Sequence, residues 1–308
     1  RFEATEAIRE EKPAWMLPFC FIGPRNVFRN VVTGSEYVPD AFNNTFSRYL
    51  IAPKTDPNEP EGARPAVLPS HKALNEAKIK VVDAEVYDPR HGGSESFFEQ
   101  EGKWYVNTYL TNSVPKEEPE LAKKAGKLIM RLLKALIEDP VYELSVLDYL
   151  AHTIQYPGVK IRWAVYMQGA QGCGKGTLIA CVEAAMGPQN VKLITANALE
   201  SNFDDWRYGS ALVYVDELKM AGKNRHIVAN KLKDAITNPR IPVNQKFRDL
   251  RNVDNVSNYF LSTNNYGALA IEDSDRRYEI LVSVIQTKAQ VLALNATGLF
   301  EEIHEMIE

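Results

Sequence analysis

A glycine-rich loop between a buried strand and a helix constrains the fold of this chain more than any other stretch. The sequence from Lys160 to Thr177 is KIRWAVYMQGAQGCGKGT. Its first half, Ile161 to Met167, is an apolar run with branched and aromatic residues, which predicts one buried strand. The stretch from Thr177 to Met186 has helical composition and spacing. The order of strand, glycine loop and helix therefore indicates an α/β fold.

The residue types of this loop suit the binding of a polyphosphate. Glycines let successive backbone N–H groups point into one concavity, and the positive end of the following helix lies beneath it. Lys175 is then expected to reach the β- and γ-phosphates of a nucleotide and to act in catalysis. The predicted nucleotide-binding residues are Gly169, Gln171, Gly172, Cys173, Gly174, Lys175, Gly176 and Thr177.

The last position of the loop departs from the common P-loop pattern. The spacing from Gly169 to Gly174 and Lys175 fits that pattern, but Gly176 stands where Ser or Thr is usual. Thr177 follows one residue later and is the candidate hydroxyl ligand of Mg²⁺. Nucleotide binding is therefore predicted, while the identity of the hydroxyl that meets the metal stays open. The alternative interpretation is a glycine-rich turn with an incidental lysine.

Composition limits the class of protein and its partners. The chain has 308 residues, of which 45% are hydrophobic and 25% charged, which is a globular composition with room for about two or three domains. The net charge of −4 argues against a generally basic surface, so any nucleic-acid contact must come from a local patch. Cys20, Cys173 and Cys181 have neither C-x-x-C pairing nor histidines at metal spacing, so no zinc site is predicted.

Location and completeness are also predicted from the sequence. Three cysteines without a disulfide pattern fit a reducing compartment, and we expect a cytoplasmic protein. No run of about 18 apolar residues occurs, so no membrane partner is expected. The chain begins at Arg1 rather than Met, so we expect a fragment that follows a further domain.

Hydrophobic patterning divides the chain into three predicted domains. Residues 1–115 carry short candidate strands, such as Trp104 to Leu110, between proline-bearing turns, which predicts an α+β accessory module. Residues 116–158 carry apolar residues at three- and four-residue intervals, which predicts a small helical region. Residues 159–308 hold the glycine loop and further buried runs, which predict the α/β domain.

An acidic pair follows a second buried strand. The run from Ala211 to Val215 is apolar and ends in Asp216 and Glu217. Acids at the carboxyl end of a parallel strand lie where open α/β sheets bind their ligands. Asp216 is predicted to hold Mg²⁺, and Glu217 to orient or deprotonate the water that attacks the γ-phosphate. Solvated acids at the end of a strand are the alternative.

An amide and two arginines complete the predicted catalytic set. Asn264 lies at the end of an apolar run that starts at Val256, and its amide suits a hydrogen bond to the γ-phosphate or to the attacking water. An ordinary turn is the alternative for this residue. Arg276 and Arg277 precede the strand-like stretch at Tyr278, and either can act as an arginine finger from a neighbouring subunit. The alternative is that both arginines pair with aspartates of the same chain.

A basic segment is the predicted nucleic-acid interface. Residues 223–252 hold eight Lys and Arg residues and two Asp residues, a net excess of six in a chain that is acidic overall. A predicted helix is followed here by a predicted hairpin, which supplies positive charge for phosphates and an apolar surface for bases. The predicted contacts are Lys231, Lys233, Lys246, Phe247 and Arg248. A solvated basic face is the alternative.

Taken in order, these segments resemble the consecutive motifs of superfamily 3 helicases of the AAA+ class, above all the helicase part of phage and plasmid primase–helicases and primase–polymerases, including the poxvirus-type enzymes. The matching stretches are Gly169 to Thr177, Leu212 to Glu217, the basic segment, Phe260 to Asn264 and Asp275 to Arg277. The resemblance implies an AAA+ P-loop NTPase with a parallel central sheet, which uses ATP and Mg²⁺. It further implies a homo-oligomeric ring, commonly a hexamer, on single-stranded or forked DNA, and a primase or polymerase domain upstream in the same polypeptide.

The same resemblance implies a role for each matching position. The implied roles are phosphate binding for Lys175, metal binding for Asp216, a catalytic carboxylate for Glu217, a polar sensor for Asn264, a finger for Arg276 or failing it Arg277, and DNA contact for Lys246 and Arg248. Two other functions stay open. A nucleoside-phosphate kinase also fits Gly-Lys-Gly-Thr, although it needs neither a basic hairpin nor an arginine from a second subunit. An origin-binding ring ATPase would bind nucleotide without unwinding DNA.

Overall fold

The computed structural model describes most of the chain as two units. The described residues are 13–50, 67–91, 96–111, 119–218, 224–244, 251–269, 271–272 and 275–308. The first unit comprises the described residues of Arg1–Tyr87 and His91–Thr108, and the second comprises those of Asp88–Arg90 and Tyr109–Glu308. Within these ranges no helix combines the length and the hydropathy needed to span a bilayer.

The first unit combines short strands with short helices. The strands are β1 (Phe19–Ile22), β2 (Val27–Asn30), β3 (Glu36–Tyr37), β4 (Lys80–Val82), β5 (Ala84–Val86), β6 (Phe97–Gln100) and β7 (Lys103–Asn107). The α-helices are α1 (Pro39–Phe46) and α2 (Pro69–His71), which continues as a π-helix over Lys72–Glu76. One sheet has the strand order β3-β2-β1-β4 and the other the order β5-β7-β6.

Aromatic side chains fill the core of the first unit. Phe28 and Phe42 are fully buried and stack with ring centroids 4.0 Å apart. Trp15 stacks on Phe46 at 5.1 Å. Aromatic rings bury large apolar areas per residue, so a few of them stabilise a unit of short elements. The chemistry of this unit was not readable from its sequence.

The second unit is built from longer elements. The strands are β8 (Ala164–Gln168), β9 (Val191–Thr195), β10 (Leu212–Asp216), β11 (Arg240–Val243), β12 (Arg251–Asp254), β13 (Asn258–Thr263) and β14 (Tyr278–Val282). The α-helices are α3 (Pro119–Leu136), α4 (Pro140–Gln155), α5 (Lys175–Met186), α6 (Ala196–Glu200), α7 (Asn224–Thr237), α8 (Lys288–Asn295) and α9 (Leu299–Ile307).

Five strands of the second unit form a parallel sheet. The strand order is β14-β8-β13-β10-β9, and every neighbouring pair is parallel. The predicted mixed α/β fold with a parallel central sheet is therefore confirmed. Since β13 lies between β8 and β10, the carboxyl ends of these three strands are adjacent at one edge of the sheet. That edge is where parallel α/β sheets bind ligands.

Alternation along the strands divides the core of this unit into two layers. On β8, Val165 and Met167 belong to a cluster with α3, α4, α5 and α9, whereas Ala164 and Tyr166 belong to a cluster with α6 and α7. Successive side chains of a strand point to opposite faces, so an all-apolar strand is buried on both sides. The sheet is thus covered by helices on both faces.

Two sequence predictions differ in detail from these elements. The strand expected from Ile161 begins three residues later, because the Ile161 N–H donates to the Asn258 side chain (2.8 Å) rather than to a neighbouring strand. Residues 116–158, predicted as a separate helical region, contribute α3 and α4, which lie in the second unit and pack against its sheet. The boundaries of the three predicted domains stay predictions.

Candidate functional site

The glycine loop connects β8 to the first residue of α5. Gly172 (φ 79°) and Gly174 (φ 111°) adopt backbone conformations that residues with a Cβ rarely take. A Cβ atom on Gly174 would also lie 2.9 Å from the Phe300 ring. Gly174 is therefore required twice, for the turn and for the approach of α9. The first turn of α5 leaves its N–H groups without intrahelical acceptors, so they are free to bind an anion.

Lys175 joins the loop to the end of β13. Its Nζ donates to Gly169 O (2.9 Å), to Ala170 O (3.0 Å) and to the Asn264 side-chain oxygen (2.9 Å). The residue is only 6% exposed. The structure thus brings Lys175 and Asn264 together, although they are 89 positions apart in sequence. It also places Cys173, which is buried, with its sulfur 3.6 Å from the Lys175 ammonium.

The Asp216 carboxylate is held through one of its two oxygens. Oδ1 accepts hydrogen bonds from Glu217 N (2.9 Å), the Tyr214 hydroxyl (3.1 Å) and the Ser262 hydroxyl (2.9 Å). Burial raises the pKa of Tyr214 above its usual value, so the phenol keeps the proton that it donates. Within the described part of the chain no group donates to Oδ2. The carboxylate is thus oriented while one oxygen stays available to a ligand.

Tyr214 and Ser262 were missed by sequence reasoning. Each lies two residues before a predicted site residue: Tyr214 before Asp216 at the end of β10, and Ser262 before Asn264, which directly follows β13. Side chains two residues apart on a strand share a face. That spacing is the signal that could have found them.

Glu217 occupies a turn with unfavourable backbone geometry. Its φ of 49° is in the left-handed region, which residues other than glycine seldom adopt. The turn is held by Leu218 N, which donates to Ser262 O (2.9 Å), and by the Thr263 hydroxyl, which donates to Leu218 O (2.7 Å). Strained backbone of this kind is concentrated at functional sites. The Glu217 side chain is exposed at the edge of the sheet.

A cavity of about 530 Å³ lies at this edge of the sheet. The lining residues are Gln171, Gly172, Gly174, Lys175, Gly176, Thr177, Tyr214, Asp216, Glu217, Asn264, Asn295, Phe300, Glu301 and His304. We call the glycine loop with Lys175, Asp216, Glu217 and Asn264 the sheet wall. We call Asn295, Phe300, Glu301 and His304, which come from α8 and α9, the helical wall.

The helical wall was also missed by sequence reasoning. The tail of the chain was predicted as helix with no recognisable chemistry. Its cavity residues do not follow a strand or a glycine loop, and they reach the cavity only because α9 packs against α3 and α5. No signal in the sequence marks that packing.

The two candidate finger arginines lie outside the cavity lining. Arg277 donates to Asp275 through its backbone N–H and its guanidinium, both at 3.1 Å. Burial acts to raise the pKa of Asp275, but the hydrogen bonds and the charge of Arg277, together with the contact from Lys233, outweigh it and hold that pKa below its usual value. Arg276 is exposed and makes no hydrogen bond or ion pair with the residues that the structure describes.

The two candidate DNA-binding lysines of α7 make contacts within the chain. Lys231 donates to Ser201 O (2.6 Å) and Leu199 O (3.3 Å), which binds α7 to the end of α6. Lys233 lies 3.4 Å from the Asp275 carboxylate. Both side chains therefore already have partners.

The predicted basic hairpin is described only in part. Its strands β11 and β12 pair antiparallel, with Val243 opposite Arg251. Lys246, Phe247 and Arg248 lie outside the described residues, in the sequence between these strands. Their predicted contact with nucleic acid stays a prediction.

Comparison with known proteins relates the chain to a phage enzyme. A family of unknown function, DUF5906, matches residues 167–277, which include the sheet wall. The chain is 28% identical over 187 residues to the DNA primase-polymerase of Nitratiruptor phage NrS-1. The chain is a relative of this phage protein. The alignment covers 60% of the chain and 26% of the phage protein, so the aligned part spans about a quarter of the length of that relative.

Solved structures of the phage relative share the fold. One apo structure of the NrS-1 C-terminal region matches 92% of this chain and 65% of that chain, with 19% identity and a TM-score of 0.63. A second apo structure of the same region matches 91% of this chain and 61% of that chain, with 19% identity and a TM-score of 0.64. The structural similarity thus extends over both units of the chain, well beyond the residues that the family matches.

Proposed function

We propose that the second unit binds ATP with Mg²⁺ and hydrolyses it, and that a ring of such subunits uses this hydrolysis to move along single-stranded DNA. One observation carries the proposal. Lys175, Asp216 and Asn264 come from three separate stretches of sequence and line one cavity at the carboxyl edge of a parallel sheet. This is the combination of cation, carboxylate and amide that phosphoryl transfer needs.

The residues of the sheet wall fit a magnesium nucleotide. No group of three or more His, Cys, Asp or Glu side chains in the described part of the chain is placed to hold a metal by itself. Mg²⁺ in nucleotide sites is bound instead by one or two carboxylates, a hydroxyl and the phosphates of the substrate. Asp216 Oδ2 and Thr177 would supply the protein ligands. When bound, Mg²⁺ neutralises charge on the β- and γ-phosphate oxygens.

The remaining residues of the sheet wall would act on the phosphates and on water. Lys175 would bind the β- and γ-phosphates together with the N–H groups of the loop. Asn264 would hydrogen-bond the γ-phosphate or the attacking water. Glu217, whose carboxylate is exposed at the same edge, would orient that water or take its proton. Each role follows from the position of the side chain at the cavity and from its chemical type.

Arg276 is the better candidate for a finger that acts on a neighbouring subunit. The Arg277 guanidinium is paired with Asp275, whereas Arg276 is exposed without a partner among the described residues. A residue that reaches across to another subunit must be free of its own chain. Head-to-tail contacts in which one subunit completes the site of the next form a ring where the rotation between subunits closes. Arg276→Ala is expected to retain nucleotide binding and lose about 10³-fold or more in turnover, and Arg277→Ala to lose less.

The similarity to a phage primase–polymerase supports DNA as the polymer along which the ring moves. The relative is named for making DNA and primers, and we propose that this chain serves replication in the host cytoplasm as part of such a polypeptide. The hairpin with Lys246, Phe247 and Arg248 would contact the strand. The logarithm of the binding constant for single-stranded DNA falls linearly with the logarithm of the salt concentration, and each phosphate contact contributes about 0.7 to the size of that slope. Replacing Lys246 and Arg248 with alanine is therefore expected to reduce the slope by about 1.4.

Strand separation on a forked duplex tests the proposal. The chain is mixed with ATP, Mg²⁺ and a labelled fork, and hydrolysis is measured with and without single-stranded DNA. We expect DNA-stimulated hydrolysis and ATP-dependent separation, both absent in Glu217→Gln and present in the control Glu120→Gln, an exposed residue of α3. Hydrolysis without separation would instead indicate a ring ATPase that does not unwind. Phosphoryl transfer to a nucleoside monophosphate would indicate a kinase.

A further inference from the structure

The helical wall carries side chains whose chemistry differs from that of the sheet wall. Asn295 ends α8, and Phe300, Glu301 and His304 lie on one side of α9 at helical spacing. They supply a carboxamide, a phenyl ring, a carboxylate and an imidazole. The inference below rests on the proposed function and concerns how the same cavity recognises the nucleoside part of its substrate.

The helical wall is a fixed surface. Leu299 and Ile303 are 3% and 2% exposed and are buried in the core cluster, which sets the rotation of α9. Glu302 of α9 is bound by Arg131 of α3 at 3.0 Å. Phe300 lies against the glycine loop, so closely that a Cβ atom on Gly174 would be 2.9 Å from its ring. Residues on this side of α9 are therefore held in place beside the loop, as a specificity site requires.

Charge decides which part of a nucleotide this wall contacts. A triphosphate is a polyanion, and it is expected against Lys175 and the first turn of α5. Glu301 is exposed, lines the same cavity and receives no hydrogen bond from the residues that the structure describes. A carboxylate directed at phosphates would be repelled by them. The same carboxylate is a strong acceptor for hydroxyl donors, and acidic residues bind ribose hydroxyls in other nucleotide sites.

We propose that Glu301 accepts hydrogen bonds from the ribose hydroxyls of the bound nucleotide, so that this site selects ribonucleoside triphosphates over 2′-deoxyribonucleoside triphosphates. His304 and Phe300 cover the base, and Asn295 offers its amide to the base edge. The selection has a clear physical basis. When the bound nucleotide covers Glu301, an analogue that lacks the 2′-hydroxyl leaves the carboxylate without that donor.

The experiment compares ATP with 2′-deoxy-ATP. Equilibrium binding of both nucleotides with Mg²⁺ is measured by titration calorimetry on the whole chain, for the wild type, Glu301→Ala and Glu301→Gln. Glu305→Ala is the matched control, because Glu305 is an exposed glutamate on the same helix that does not line the cavity. Thermal unfolding of each variant verifies that α9 remains in place.

We expect the wild type and Glu305→Ala to bind ATP about 10- to 100-fold more tightly than 2′-deoxy-ATP, which is the effect of a hydrogen bond to a charged group. Glu301→Ala should bind the two nucleotides equally, and no more tightly than the wild type binds 2′-deoxy-ATP, and the discrimination of Glu301→Gln should lie between those of the wild type and Glu301→Ala. Wild-type binding that is equal for the two nucleotides, or discrimination that survives in Glu301→Ala, would overturn the inference and leave the proposed ATPase intact. A wild type that binds neither nucleotide would overturn both.

Discussion

The two walls of the cavity differ in how the chain builds them, and therefore in what sequence can reveal. The functional side chains of the sheet wall follow strands or begin a helix after a glycine loop, so the hydrogen-bond ladder of the sheet fixes where they lie. Those of the helical wall are placed by the packing of Leu299 and Ile303 under α9. Positions set by backbone pairing leave a local sequence pattern, whereas positions set by tertiary packing do not.

Among changes at the two walls, removal of the Glu217 carboxylate gives the largest expected effect. Glu217→Gln keeps the size and the hydrogen-bonding shape of the side chain but cannot accept a proton. We expect ATP hydrolysis to fall by about 10²–10⁴-fold, with nucleotide affinity nearly unchanged. Hydrolysis is measured by phosphate release and affinity by calorimetry. A wild-type rate of hydrolysis in this variant would show that Glu217 is not a catalytic residue.

Lys175 tests the positive charge that the sheet wall directs at the phosphates. Lys175→Ala removes the ammonium that the loop carbonyls and Asn264 surround. We expect hydrolysis at saturating ATP to fall by about 10²–10³-fold, because a preorganised charge at the phosphates is lost. Lys288→Ala, an exposed lysine outside the cavity lining, is the control. Equal losses in the two variants would show that general charge, rather than this position, matters.

The buried residue Ile303 tests whether core packing holds the helical wall in place. Ile303→Ala leaves a void beneath α9, and we expect it to reduce the free energy of unfolding by about 2–5 kcal/mol. Leu292→Ala, an exposed residue of α8, should change it by less than about 0.5 kcal/mol. Chemical denaturation measures both. If Ile303→Ala leaves stability unchanged, the helical wall is not anchored as described, and the contrast between the walls is lost.

The support of Asp216 gives the smallest expected effect. Tyr214→Phe removes one hydroxyl that donates to Oδ1 and leaves the ring in the core. We expect the Mg²⁺ concentration for half-maximal hydrolysis to rise by about 10- to 100-fold, since a hydrogen bond to a charged group contributes about 1.5–3 kcal/mol. The exposed Tyr266→Phe is the control. An unchanged magnesium requirement would show that the Tyr214 hydroxyl does not support Mg²⁺ binding.

These contrasts explain how much the sequence could predict. The parallel sheet and the approximate strands followed from apolar runs, and the adjacency of Lys175, Asp216 and Asn264 followed from the rule that parallel strands end at one edge. The sequence reasoning did not include Tyr214 and Ser262, because an apolar run hides the polar atoms inside it. It could not include Glu301 or His304, since nothing local shows which side of a terminal helix faces a site.

The central claim is that Lys175 and its neighbours bind a nucleoside triphosphate. Titration calorimetry of the whole chain with ATPγS and Mg²⁺ tests it most directly. The account predicts one nucleotide bound per chain in the wild type and in Lys288→Ala, and at least about 100-fold weaker binding in Lys175→Ala. Absence of binding in the wild type, or binding that Lys175→Ala leaves unchanged, would contradict it.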